Sequence, residues 1–155
     1  MKTLILFLLI TIFSFSQKKY KYDKWKVTEL KAAKNYNAIR FLDSTEKEVL
    51  FYTNLVRINP KLFCETYLQE YIDINHLDCK NTYIASLIKM LHNSKPRGAL
   101  VADAKIDEDI PSLGHRENLF NSNFTSVGIS FKPHKTYGSN CVMDFGEDYS
   151  MLAIH

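Results

Sequence analysis

Residues 114–146, GHRENLFNSNFTSVGISFKPHKTYGSNCVMDFG, constrain the fold more than any other stretch of the chain. In FTSVGISF, Val127, Ile129 and Phe131 alternate with Ser126, Gly128 and Ser130. Successive side chains of a strand point to opposite faces, so this period of two predicts a half-buried strand over 124–131. Pro133 and Gly138 mark a turn over 133–139. In NCVMDF, over 140–145, Cys141, Met143 and Phe145 share one face, and Val142 and Asp144 share the other. Two such runs joined by a turn predict an antiparallel hairpin. Just upstream, Pro111 opens a short helix signal, PSLGHRENLF, which Asn121-Ser122-Asn123 stops.

Three helical patterns precede the hairpin. Residues 43–58 read DSTEKEVLFYTNLVRI. Asp43 or Ser44 caps the start, Glu46 and Glu48 fall where the helix dipole favours acids, and Val49, Leu50, Tyr52, Thr53 and Val56 form one apolar face. Pro60 ends this helix or starts another at its first turn. Residues 61–72 place Leu62, Phe63, Thr66, Tyr67 and Tyr71 on a stripe, and residues 82–92 do the same with Tyr83, Ile84, Leu87, Ile88 and Leu91. His92 closes the third helix, where a cation suits the dipole, and NSKPRG over 93–98 breaks it. Residues 73–80 read as loop, and 99–109 give no settled element. The chain has 155 residues, enough for one domain, with ten Phe and nine Tyr to fill its core. A formal charge of +3 is too mild to argue for nucleic acid.

Residues 1–16, MKTLILFLLITIFSFS, combine one Lys, an apolar run and Ser14-Phe15-Ser16. That order is a signal peptide with a small-x-small cleavage site, so the expectation is a secreted, extracellular protein beginning at Gln17. The run is too short for a membrane span of about 20 residues. In 17–34, lysines alternate with Tyr20, Tyr22 and Trp25. One reading is a basic-aromatic patch for polyanions or a membrane surface; the other, expected here because no amphipathic stripe is present, is a loosely packed leader. Export permits disulfides, but three cysteines are an odd number. A Cys64–Cys79 bridge would close a short loop and is left open. No CxxC and no Cys beside a His suggests a metal motif. Asn123-Phe124-Thr125 fits the glycosylation pattern and is read as chance.

Several of these residues together resemble a known family. Gly114-His115-Arg116-x-Asn118-Leu119 followed by Asn123-Phe124-Thr125-x-Val127-Gly128-Ile129 is similar to the bacterial members of the CAP superfamily, the cysteine-rich secretory, antigen five and pathogenesis-related one proteins, also called SCP-like. The run from Tyr137 to Gly146 resembles the final strand of their secreted members, and Asn54-x-x-Arg57-x-x-Pro60 resembles their first helix. The resemblance implies an α-β-α sandwich around a cleft that two His and two Glu line in many members. Only His115 maps onto that set. Glu108 and Glu117 stand too close to His115 to occupy the family's Glu positions, and around 100–108 there is no room for the segments that carry the rest.

The resulting expectation is an α+β fold, a truncated CAP-type sandwich with N-terminal helices packed on a C-terminal hairpin. Its parts are a signal peptide over 1–16, a leader over 17–42, the shortened domain over 43–148 and a tail over 149–155. The missing segment would leave one sheet face open, and an exposed apolar face invites a homodimer. It would also hold the family partner of Cys141. The expected function is a non-catalytic extracellular module that binds a protein, a lipid or a surface through the cleft, with motif residues Gly114, His115, Arg116 and Asn118, or through the hairpin, because no Ser-His-Asp set, HExxH or glycine-rich phosphate loop is encoded. The alternatives are a metal-binding protein or metal-dependent hydrolase using His115, and a degenerate copy without function. Zinc belongs to intact relatives; one His does not supply its three or four ligands. A second His, His134 in the hairpin turn, is a candidate to approach the first. In the blander reading His115 hydrogen-bonds at the helix start, Arg116 serves the surface and Asn118 anchors the next loop.

Overall fold

Trp25 is where the chain enters the core. In the computed structural model, which describes residues 22–36, 39–102 and 115–147, a 3-10 turn over Tyr22–Lys24 leads through Trp25 into helix α1, Val27–Ala33. Trp25 is only 4% exposed, and Ala33 is fully buried. The indole packs against Tyr67 with ring centroids 6.0 Å apart. The loose packing expected for 17–34 does not hold at Trp25 and Ala33, which the core buries. An indole is among the largest apolar surfaces a chain can bury, and it fixes α1 while the lysines beside it stay in water. Glu29 accepts from the Lys26 N–H at 2.9 Å and from Asn59 Nδ2 at 3.1 Å, which ties the start of α1 to a distant turn.

Helix α2, Ser44–Ile58, is the centre of the molecule. Asp43 caps it: its Oδ1 accepts from the Glu46 N–H at 2.8 Å, and Glu46 Oε2 accepts from the Asp43 N–H at 3.0 Å. This reciprocal pair satisfies two backbone donors that a helix start leaves without partners. The single apolar face expected for 43–58 is too narrow a description. Every residue from Val49 to Arg57 is buried, as in a helix covered on all sides. Phe51, Tyr52, Leu55 and Val56 face a helical core, while Val49 and Leu50 face the sheet.

Asn59 breaks α2 and caps the next helix, accepting from the Leu62 N–H at 3.1 Å. Pro60 follows at the first position of α3, Pro60–Phe63, so it starts a helix there. A π-helical turn, Cys64–Leu68, joins α3 to α4, Gln69–Ile74. The Thr66 hydroxyl donates to the Leu62 carbonyl at 2.6 Å. A side chain that takes up a helical carbonyl in this way loosens the local ladder. The wider turn brings Phe63, Cys64, Tyr67 and Leu68 all into the core. Tyr67 is its aromatic hub, edge-on to Tyr52 at 5.3 Å and tilted against Phe63 at 5.5 Å. Helix α5, Thr82–Asn93, is capped by Asn81 and adds Ile84, Leu87 and Leu91.

The sheet is small and mixed, in the order β1-β2-β3. Strand β1, Val101–Ala102, lies parallel to β2, Ser126–His134, which pairs antiparallel with β3, Gly138–Gly146. The expected hairpin is present, with Val127 opposite Phe145, Ile129 opposite Met143 and Phe131 opposite Cys141. The strands extend further into the turn than 133–139 allowed, leaving a three-residue loop closed by Gly138 at φ 76°. Such loops place a residue in the left-handed region, where glycine meets no steric penalty.

Val127, Ile129 and Cys141 pack on Leu42, Val49, Leu50 and Leu100. The opposite face pairs Ser126 with Gly146, Gly128 with Asp144, Ser130 with Val142 and Lys132 with Asn140. Val142 and Val101, the latter in register with Ser126, are its large apolar side chains among the described residues, two exposed valines among small and polar neighbours rather than a continuous apolar face. The apolar face is the one that α2 covers. The architecture is α+β, with helices and a three-stranded sheet on either side of α2. The signal peptide over 1–16, the tail over 149–155 and most of the shortened stretch near 100–108 lie outside the described residues.

The buried indole carries a prediction. Trp25→Ala costs about 3–5 kcal/mol of unfolding free energy in urea titrations, whereas a loosely attached leader would leave the midpoint unchanged.

Candidate functional site

The described residues that the family resemblance marks converge on two buried polar side chains of α2. Asn54 and Arg57 are 0% and 1% exposed. They stand one helical turn apart and face the extended segment over 94–100. Asn54 behaves toward that segment like a backbone amide. Its Oδ1 accepts from the Leu100 N–H at 2.7 Å, and its Nδ2 donates to the Leu100 carbonyl at 3.2 Å. Asn35 Nδ2 donates to the same carbonyl at 2.7 Å, which brings the end of α1 to this point.

Arg57 gathers four carbonyls. Its Nε donates to Gly98 at 3.0 Å, its Nη1 to Leu119 at 2.6 Å and Asn121 at 3.3 Å, and its Nη2 to Phe124 at 3.0 Å. Its own carbonyl, in the last turn of α2, accepts from the Arg97 N–H at 2.7 Å. No carboxylate lies within ion-pair distance of Arg57 among the described residues. The planar guanidinium suits such a site because it offers five donors in a fixed fork. Burial, and then the nearby Arg97, pull it down to about 10, so it stays charged at neutral pH.

Helix α6, His115–Phe120, is held by this pair of arginines. Leu119 gives its carbonyl to Arg57, and Phe120 gives its carbonyl to Arg97 Nε at 2.8 Å. Both carbonyls belong to the helix end that has no partners of its own and carries the negative pole of the dipole. Two cations on that end fix α6, and Leu119 and Phe120 pack on the helical core. The backbones of His115 and Arg116 are therefore carried on an anchored helix. Gly114 lies outside the described residues, as do the side chains of His115 and Arg116. Asn118 is half-buried, and its carbonyl accepts from the Asn121 N–H at 3.2 Å, closing the loop after α6.

The remaining candidates resolve into structural roles. His134 is exposed at the hairpin tip. Its Nδ1 accepts from the N–H groups of Thr136 at 3.2 Å and Tyr137 at 3.3 Å, and its ring stacks on Tyr137 at 5.1 Å. One ring nitrogen is thus committed to the turn. Cys64, Cys79 and Cys141 are all free, which corrects the Cys64–Cys79 bridge left open above. Cys64 turns its sulfur into the helical core from the π-helical turn, whereas Cys79 stands exposed after α4. Burial pushes the Cys64 thiol up, with Glu65 adding to it; burial and then Glu46 push Cys141 up to about 12. Neither is an activated nucleophile.

Glu46 is the residue that sequence reasoning undervalued. Besides closing the cap of α2, its Oε1 accepts from the Phe131 N–H at 3.2 Å, on the side of β2 away from β3. The signal was the Asp43-x-x-Glu46 spacing, which predicts the cap but not the second bond.

Zinc was implied only for intact relatives. No three His, Cys, Asp or Glu side chains come together among the described residues, and His134 is engaged by its own turn. The chain matches no family model, no curated protein and no solved structure.

Two predictions test this polar core and its thiols. Arg57→Lys and Arg57→Leu each lower stability by at least about 3 kcal/mol in denaturant titrations, because a single ammonium cannot span the four carbonyls and an apolar side chain satisfies none. In the native protein only Cys79 reacts rapidly with a thiol reagent, and unfolding releases Cys64 and Cys141. Above the ordinary thiol value of 9.0 the unfolded chain loses the Cys141 proton, while the folded protein keeps it up to about 12. Stability is therefore intact below that value and falls as pH rises through the window. Urea midpoints across it decline less steeply for Cys141→Ala than for wild type.

Proposed function

We propose that the chain is a secreted CAP-like module, shortened in its middle, that acts by binding an extracellular partner rather than by catalysis. One observation carries the reading. Two of the blocks on which the resemblance rests are far apart in the chain, yet Arg57 of the first holds the carbonyls of Leu119, Asn121 and Phe124 in the second, each more than 60 positions away. The two blocks are therefore parts of one unit. This is what a family pattern would require if its residues were kept for a shared geometry. The anchored helix α6 carries the backbones of His115 and Arg116, and binding through Gly114, His115, Arg116 and Asn118 is the proposed activity. His115 serves as one corner of a cleft and not as a member of a metal set.

Export rests on the pattern of residues 1–16. No helix among the described residues is long and apolar enough to cross a membrane.

Zinc titration by calorimetry separates binding module from metal protein. Wild type and His115→Ala are expected to give the same weak, non-saturating heats. A saturable one-site isotherm in wild type that His115→Ala abolishes would overturn the reading in favour of the metal-dependent alternative. A cooperative thermal transition is expected of both proteins; a broad, aggregating one would instead assign the chain to the degenerate class.

A further inference from the structure

The two edges of the sheet are finished differently. In the order β1-β2-β3, the outer edge of β3 has no strand beside it among the described residues. The backbone of β2 shows which groups of β3 point there. The Phe131 N–H reaches Glu46, and the Thr125 carbonyl accepts from the Val101 N–H at 2.9 Å, both on the side away from β3. The odd-numbered residues of β2 therefore turn their backbone groups away from β3, and the even-numbered ones bond to it. By the register, Gly138, Asn140, Val142, Asp144 and Gly146 answer those bonds. Ser139, Cys141, Met143 and Phe145 thus turn their N–H and C=O groups to the outer edge. The usual guards of an edge are absent from this strand. β3 runs for 9 residues without proline or lysine, pairs with β2 without a bulge, and has Asp144 as its only charge.

From this we infer that β3 pairs antiparallel with β3 of a second copy, joining the two sheets about a two-fold axis at Val142. Such an axis sets a patch against itself, so the strand has to complement its own reverse. β3 does so. Its midpoint is Val142, and full overlap puts Ser139 opposite Phe145 of the second copy and Cys141 opposite Met143. Each of these pairs exchanges two backbone hydrogen bonds. Their side chains lie on the core face, where Met143 and Phe145 are only half-buried in one copy, so the added strand continues the apolar layer. On the opposite face Val142 meets its own equivalent in a non-hydrogen-bonded pair, the closest kind, with Cα atoms about 4.5 Å apart. Charge fits the same register. Asp144 comes opposite Asn140 of the second copy rather than opposite another carboxylate. Lys132, exposed and paired with Asn140 on β2, stands next in that row, so a lysine flanks each aspartate across the junction. A foreign strand would find the backbone groups but not this reciprocal fit. The interface is small, so the dimer is weak and depends on concentration. It uses the edge of the sheet, not a face, and depends on β2 and β3 alone, not on the CAP-like reading.

Sedimentation equilibrium and oxidative crosslinking test the pairing. The protein is expected to pass from monomer to dimer as its concentration rises. Val142→Lys sets two ammonium groups face to face at an exposed position, and is expected to weaken the dimer about tenfold with an unchanged thermal melt. Val101→Lys, at the other exposed valine of the same sheet face, is expected to stay within about twofold of wild type. Crosslinking reads the register in a Cys79→Ser background, which removes the exposed native thiol. Val142→Cys is expected to give a disulfide-linked dimer on mild oxidation, because its Cα separation lies within the reach of a disulfide. Asn140→Cys faces Asp144 and not its own equivalent, and is expected to give none. A monomer at every concentration, a Val142→Lys protein that dimerises like wild type, or equal crosslinking by Val142→Cys and Asn140→Cys would overturn the inference. So would equal weakening by Val101→Lys, which would move the contact to the sheet face.

Discussion

One guanidinium holds the parts of this molecule in register. Arg57 is buried without a carboxylate, and its charge is balanced by carbonyls from three separate stretches: Gly98 before the sheet, Leu119 and Asn121 around the end of α6, and Phe124 before β2. Moving a cation out of water costs several kcal/mol even after relaxation, and only a full set of hydrogen bonds offsets it. A partly assembled site would leave the charge stranded. Segments far apart in the chain are therefore coupled: each is stable where it is because the others are there. Asn54, one turn earlier, extends the coupling to Leu100 and, through Asn35, to the end of α1.

The parts of the fold written in local pattern were legible beforehand. The hairpin followed from alternation at 126–131 and 141–145, and the start of α2 from Asp43 and Glu46. The third helix followed from apolar spacing in 82–92. What could not be read depends on neighbours supplied from elsewhere. The burial of α2 on all sides requires both the helical layer and the sheet, so the sequence showed a five-position stripe where the structure buries the unbroken run from Val49 to Arg57. The π-helical turn, where the Thr66 hydroxyl takes the Leu62 carbonyl, leaves no mark in the apolar spacing. Strand β1, two residues long, has no period to detect. Trp25 sat among lysines that masked its partner, Tyr67, more than forty residues away.

The site was legible in a different sense. The pattern Asn54-x-x-Arg57-x-x-Pro60 stood out, and it marked the residues that organise the core. What they hold did not stand out, because the partners are backbone carbonyls, and any sequence supplies those. Pro60 separates α2 from α3, and Arg57 and Arg97 cap the far end of α6, so the three residues act on helix ends. His134 misled for the opposite reason. It is a residue type with metal-binding chemistry, and here it closes a turn.

Glu46 has a consequence for how the sheet ends. Beyond the two residues of β1, the flank of β2 offers backbone donors to any passing strand, and bare flanks of this kind recruit other chains into aggregates. The Glu46 carboxylate already occupies the Phe131 N–H from within the same molecule. An incoming strand would have to expel it, and would leave an acidic group confined near Cys141 with a bond lost at the α2 cap as well. The helix start and the sheet edge are thus protected by one side chain. The other edge of the three-stranded sheet is β3, so this protection is confined to the β1 flank of β2.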